Sequence, residues 1–189
     1  MKKTLIIALL SILLFARCET EKDPFLITKG AIGNVVQGTQ MQQLDSIFAI
    51  DSIVELNPVA GALGTQGEVE VYSPEGEKLL LISPEKENDP ASTISNIQVF
   101  DNRYHTKKGL SLGSTYKDIK DNYTIASVVN TINSVVVFIK DSDVFVTIDK
   151  KLLPENLQHD PTIEIDASQI PDTAVFKYFM IGWDPVIEE

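Results

Sequence analysis

Residues 68–82 commit this chain to antiparallel sheet. Glu68-Val69-Glu70-Val71-Tyr72 alternates polar and apolar side chains, the pattern of a strand with one wet face. Ser73-Pro74-Glu75-Gly76-Glu77 supplies turn chemistry, and Lys78 to Ile82 returns as the partner strand. A second hairpin follows the same logic. Val135 to Ile139 is wholly apolar and rich in β-branched residues, which suits the middle of a sheet. Lys140-Asp141-Ser142-Asp143 turns the chain, and Val144 to Ile148 comes back. Ile97 to Phe100 and Val175 to Ile181 read as further strands, the latter ending at Gly182-Trp183.

Two short helices complete the expected α+β fold. The first spans Gln40 to Ala49, with Thr39 as its N-cap and Met41, Leu44, Ile47 and Phe48 on one apolar face. The second spans Tyr116 to Asn122, capped by Thr115, with Asp118 three residues later as a capping-box partner. Residues 57–66 and 83–95 read as loops. The halves 26–104 and 105–189 are alike in outline, each a β-α-β-β-β unit: Lys29-Gly30 leads to Gly38-Thr39 and a helix, and Lys108-Gly109 to Gly113-Ser114-Thr115 and a helix. Internal duplication and chance likeness of two α+β halves both account for this pattern, and the halves can equally form one domain.

The N-terminus carries an address. Lys2 and Lys3 precede an apolar stretch from Leu5 to Phe15, broken only by Ser11, then Ala16-Arg17-Cys18 and the acidic run Glu19 to Asp23. This is a secretory-signal layout, its apolar core too short for a bilayer span of about 20 residues. It resembles the signal of bacterial envelope lipoproteins, with Cys18 as the lipidated residue; Arg17 departs from the small residue usual before that cysteine. The acidic run is similar to the export signal of Bacteroidota lipoproteins. The resemblance implies a signal over 1–18, a tether over 19–25, and an outer-membrane anchor facing outward. The alternatives are a periplasm-facing or a secreted protein.

Removing the signal takes away Lys2, Lys3 and Arg17 and no acid, leaving 13 basic against 27 acidic residues, a net −14. Nucleic-acid binding needs phosphate neutralisation by Lys and Arg, which such a chain opposes. With Cys18 lipidated the mature chain has no thiol, so it has neither disulfide nor cysteine nucleophile. The Gly-x-Thr helix start before a hairpin resembles the small module of BamE/SmpA-type outer-membrane lipoproteins and β-lactamase-inhibitor-like proteins, through Gly113, Thr115, Asp118 and Ile119, with Gly38, Thr39 and Leu44 as a second copy. The second helix usual in that module has no counterpart here. The resemblance implies a helix-on-sheet binding or assembly module without catalysis.

The residues themselves offer few catalysts. His105 and His159 lie in no metal motif. Gly109-Leu110-Ser111-Leu112-Gly113 spells a nucleophile elbow, but the helix starts after Thr115, so Ser111 is expected inside a short strand. Glu68 with Glu70, and Glu164 with Asp166, share strand faces. They are read as solvated faces, with acid–base hydrolysis as the competing use. Asp141-Ser142-Asp143 is read as a turn, not a calcium site. Trp183 is read as a core anchor, with a carbohydrate platform as the alternative. The segment Asp101 to Lys108 concentrates Arg103, Tyr104, His105, Lys107 and Lys108 in an acidic chain, and these are the candidate binding residues, suited to a carboxylate or an acidic partner. No cofactor or metal is expected. The favoured reading is a lipid-anchored, non-enzymatic binding or scaffolding protein whose partners are the membrane, through Cys18, and an envelope protein or glycan. A carboxylate-using hydrolase or glycan-processing accessory protein, and an enzyme-inhibitor-like module acting through residues 57–66, are the alternatives.

Overall fold

The computed structural model describes residues 23–56 and 67–183. The expectations for the signal, Cys18, most of the tether and the loop 57–66 lie outside those residues. The strands are β1 (Leu26–Thr28), β2 (Ala31–Ile32), β3 (Val35–Val36), β4 (Ser52–Leu56), β5 (Glu68–Tyr72), β6 (Lys78–Pro84), β7 (Ile94–Val99), β8 (His105–Thr106), β9 (Ile125–Asn130), β10 (Ser134–Ile139), β11 (Val144–Asp149) and β12 (Tyr178–Gly182). The α-helices are α1 (Leu44–Ile47), entered through a 3-10 turn at Met41–Gln43, and α2 (Tyr116–Asn122). The expected α+β class, mainly antiparallel sheet with two short helices, is what the chain adopts.

One eight-stranded antiparallel sheet runs β4-β5-β6-β7-β12-β11-β10-β9. Its inward positions alternate along each strand, and Ile97, Val135, Val137, Val146, Ile148 and Phe179 are wholly excluded from solvent. Burying each such side chain contributes about 1.5–3 kcal/mol. Leu44 of α1 and Tyr116 and Ile119 of α2 belong to the same buried cluster. A smaller sheet, β3-β2-β1-β8, contains the one parallel pairing among the described strands, β1 with β8.

The two halves are related by a pseudo-two-fold that can be read from hydrogen bonds alone. In the first half the Gln40–Thr93 bridge is followed by Met41 N–H to Ser92 O (2.9 Å) and Gln42 N–H to Pro90 O (2.9 Å). In the second, the Thr115–Val175 bridge is followed by Tyr116 N–H to Ala174 O (2.8 Å) and Lys117 N–H to Asp172 O (3.0 Å). Each helix then leads into a four-strand meander, β4 to β7 or β9 to β12. The meanders join at β7 and β12, where Gln98 lies opposite Met180, and Ile97 and Val99 lie opposite Ile181 and Phe179. That register maps onto itself when the halves are exchanged. Leu26 with His105 and Ile27 with Thr106 likewise pair equivalent positions of the two halves.

Several expectations change in detail. Each half has four strands after its helix, not three, because β4 and β9 join as the outer strands. The first helix is shorter than Gln40 to Ala49, and the 3-10 turn that leads into it is capped by Gln40, whose N–H donates to Gln43 Oε1 (2.8 Å). Thr39 is buried instead, its Oγ1 accepting from the Val36 N–H. The 83–95 loop shrinks because β6 continues to Pro84 and β7 begins at Ile94. The last strand begins at Tyr178; Val175 makes only the bridge to Thr115. Ser111 lies outside any strand, in a turn where the Ser114 N–H donates to its carbonyl. The second helix has the expected bounds, with the Asp118 carboxylate accepting from the Thr115 N–H at 2.7 Å.

Candidate functional site

The fold separates the candidate binding segment into two ends. At one end Arg103 donates through Nε and Nη2 to Asp101 Oδ2 (2.9 and 2.6 Å) and lies over the Phe25 ring. The hydrogen bonds from Arg103 hold the Asp101 carboxyl below its ordinary range. Tyr104 is buried edge-on against Phe25, and burial pushes its phenol upward. Phe25, Arg103 and Tyr104 share a depression of about 400 Å³ with Asp51, Glu75 and Phe48. Burial raises the Asp51 carboxyl, against the pull of Arg103. His105 stands between the ends, its Nδ1 at 2.8 Å from the Arg103 carbonyl and its Nε2 at 3.5 Å from Asp23. Arg103 is therefore a paired cation whose side chain remains half exposed, and Tyr104 a packed side chain, while Lys107 and Lys108 stand at the other end of the segment.

At the other end, Lys107 and Lys108 join two lysines far away in sequence. Lys29, from the β1–β2 turn, and Lys140, from the β10–β11 turn, line the same depression of about 370 Å³. Its floor includes the buried side chains of Ile27 and Val144, and its wall includes Thr106 and Tyr123, joined by a 2.5 Å hydrogen bond between their hydroxyls. Lys108 donates to the Asn122 carbonyl (2.5 Å) and lies over the Tyr123 ring. The ammonium groups of Lys29, Lys107 and Lys140 have no partner among the described residues. Asp143 holds the frame, its Oδ2 accepting from the Gly30 N–H (2.6 Å) and from Trp183 Nε1 (3.0 Å). Trp183 is thereby a buried anchor and presents no carbohydrate platform.

A second surface lies on the outward face of the large sheet. Register places Ser127, Phe138, Phe145, Met180, Gln98, Leu81, Glu70 and Val54 in one row across all eight strands. The neighbouring row holds Val129, Val136, Thr147 and Tyr178. The second half of this face is thus apolar, with Phe138 stacked on Phe145 (centroids 5.3 Å apart) and Val129, Phe138 and Tyr178 each more than a third exposed. The first half mixes Gln98 and Glu70 with Leu81 and exposed Val54, its Glu70 paired with Lys78 at 2.5 Å.

The remaining candidates have local occupations. Hydrogen bonds from Lys78 and the Tyr72 hydroxyl hold Glu70 below the ordinary carboxylate range, opposite to what a general acid needs. Asp166 caps a 3-10 turn by accepting from the Ser168 N–H, and Glu164 is exposed. Exposed His159 precedes Asp160, which accepts from the Thr162 N–H and hydroxyl. Asp141 is an exposed turn residue with a positive φ of 57°. Among the described residues, no three His, Cys, Asp or Glu side chains group as metal ligands. None of their helices is long and apolar enough to cross a membrane. Sequence reasoning missed Lys29, Lys140, Tyr123 and Asp51; each lies far in sequence from the groups it joins, and no spacing marks it.

No family model matches the chain, and no curated protein matches it. Among solved structures it is similar to the crystal structure of the uncharacterized protein yfeY from Escherichia coli, with a TM-score of 0.54. The identity is 12%, over 83% of this chain and 99% of that one, a likeness of fold.

Proposed function

We propose that the protein is a lipid-anchored, non-enzymatic component of the outer membrane, facing outward, whose second-half sheet face binds another envelope component, a protein or a glycan. One observation carries the binding part: the contiguous outward apolar patch of Val129, Val136, Phe138, Phe145 and Met180 on four neighbouring strands, beside a first half where Glu70 and Gln98 interrupt the apolar positions. Such contiguous patches, rimmed by polar residues, mark interaction sites on soluble surfaces. The anchor part rests on the signal layout ending at Cys18.

Crosslinking in intact cells followed by capture of the full chain tests the reading. Wild type and a Glu75→Lys control are expected to retain the same partner, and Phe138→Asp to lose it while keeping its circular dichroism. Unchanged capture by Phe138→Asp removes this face from the proposal. Cys18→Ser is expected to leave the membrane fraction, and its retention there refutes the anchor. A hydrolase reading is favoured by one observation, the raised Asp51 carboxyl beside Glu75 in a shared depression. It requires that wild type cleave a glycan or peptide panel and that Asp51→Asn abolish cleavage.

A further inference from the structure

The depression between the β1–β2, β8 and β10–β11 turns is a concentration of cations in a chain with an excess of acids, 27 against 16 basic residues. Most described basic side chains are neutralised or occupied: Lys78 by Glu70, Arg103 by Asp101, Lys117 by Asp121 and Lys120 by Asp172. Lys150 is buried, with a long bond to the Asp160 carbonyl, and Lys177 lies over Tyr178. Of the five described lysines left without an ion pair, hydrogen bond or ring contact, three line this one depression; Lys86 and Lys151 lie elsewhere. Lys108 makes a fourth cation there, committed only to a backbone carbonyl and a ring.

The fold brings these charges together from three separate turns. The parallel pairing of Leu26 with His105 and Ile27 with Thr106 carries both strands forward to Lys29 and Lys108, equivalent positions of the two halves. Both lysines are turn residues just beyond those strands, and like charges gathered in one depression repel; such conflicts concentrate where a ligand resolves them. The lining carboxylate is Asp141, which leaves four lysines against one acid. Asp143 is directed elsewhere, to the Gly30 N–H and to Trp183.

We infer that this depression binds a compact multivalent phosphate. The choice of a multivalent phosphate over a single carboxylate follows from charge: four lysines face one acid, and lysine ammoniums act on phosphate oxygens as point charges that can approach from several sides. No arginine lines the depression. The Ser142 hydroxyl oxygen accepts from the Val144 N–H, so its own proton is available to an anion in the same space. The site is separate from the apolar sheet face and stands whether or not that face binds a partner.

The test uses the full chain in detergent, titrated with inorganic pyrophosphate at constant ionic strength and followed by calorimetry and thermal unfolding. Lys29→Gln/Lys140→Gln removes two lining cations, and Lys86→Gln/Lys151→Gln is the charge-matched control. Wild type and control are expected to bind and to gain melting temperature with concentration. The double variant is expected to bind roughly tenfold more weakly or worse, since each unit charge at about 4 Å in water is worth close to fivefold. It is also expected to be no less stable than wild type without ligand. Single Lys140→Gln is the fallback if the double variant does not fold, with an intermediate loss expected. Equal loss in the control, citrate binding as tightly as pyrophosphate, or no heat of binding up to millimolar pyrophosphate overturns the inference. Detergent-free flotation of the Cys18→Ser chain, which lacks the proposed anchor, on phosphatidic acid vesicles compared with phosphatidylcholine separates the sources. Flotation dependent on Lys29 and Lys140 assigns a lipid headgroup, and pyrophosphate binding without flotation assigns a free phosphate, each upholding the site.

Discussion

Replacing Asp143 by alanine unties three segments with one change. Its Oδ2 accepts from the Gly30 N–H of the β1–β2 turn and from the indole N–H of Trp183 just after β12, while Asp143 itself sits immediately before β11. Trp183 is 6% exposed, so its N–H loses its partner with little access to water. A buried donor left unsatisfied costs about 1–3 kcal/mol. The Gly30 N–H is only part-buried and recovers some of its loss from solvent. The expected destabilisation of Asp143→Ala is therefore about 2–4 kcal/mol. Asp143→Asn keeps an acceptor oxygen of the same reach but no charge, and should lose about half as much, because hydrogen bonds to an ionised acceptor are roughly twice as strong as neutral ones. Trp183 is the chain's single tryptophan, so its fluorescence reports the affected site directly during urea unfolding. With a slope of about 2 kcal/mol per molar urea, Asp143→Ala should move the midpoint down by about 1–2 M at unchanged slope. A midpoint within about 0.3 M of wild type, or Asp143→Asn as damaging as Asp143→Ala, refutes the reasoning.

Two smaller predictions rest on local chemistry. Glu70 is held below its ordinary value of 4.5 by Lys78 and Tyr72, so its contribution is present above the unfolded value and is lost as pH falls through the folded one. Acid titration of stability should accordingly be shallower below pH 4.5 in Glu70→Gln than in wild type, and parallel curves would contradict this. The equivalent caps of the two helices differ in charge: Asp118 accepts from the Thr115 N–H and Gln43 from the Gln40 N–H. Asp118→Ala should cost about 1 kcal/mol and Gln43→Ala about half that, measured by chemical denaturation, and a reversed order would contradict the cap assignment.

The parts legible in the sequence were those determined by neighbours along the chain. The bounds of α2 follow from Thr115 and Asp118, whose hydrogen bonds are local, and the two hairpins follow from alternation around explicit turns. The outer strands β4 and β9 were not legible because an edge strand buries little: Ser52, Val54 and Glu55, and Ala126, Ser127 and Val129, are exposed. The first helix was over-extended because Met41, Leu44, Ile47 and Phe48 keep helical spacing, although Phe48 already has a non-helical backbone. The binding cluster was half legible. Lys107 and Lys108 stood out as a run, but a contiguous run in sequence gave no sign that Arg103 turns to Asp101 while Lys29 and Lys140 arrive from other turns.

The β7–β12 ladder has a consequence for how the chain reaches its native state. Within each meander, strands pair with sequence neighbours, and closing such loops is entropically cheap. Val99 with Phe179 and Asn96 with Gly182 instead join positions about 80 or more residues apart, through the centre of the sheet. Non-local pairing of this kind slows folding relative to local hairpins. Each meander is therefore expected to form ahead of the seam between them. Substitutions at Ile97 or Phe179 should then act chiefly by speeding unfolding, whereas those in the hairpin of β10 and β11 slow refolding.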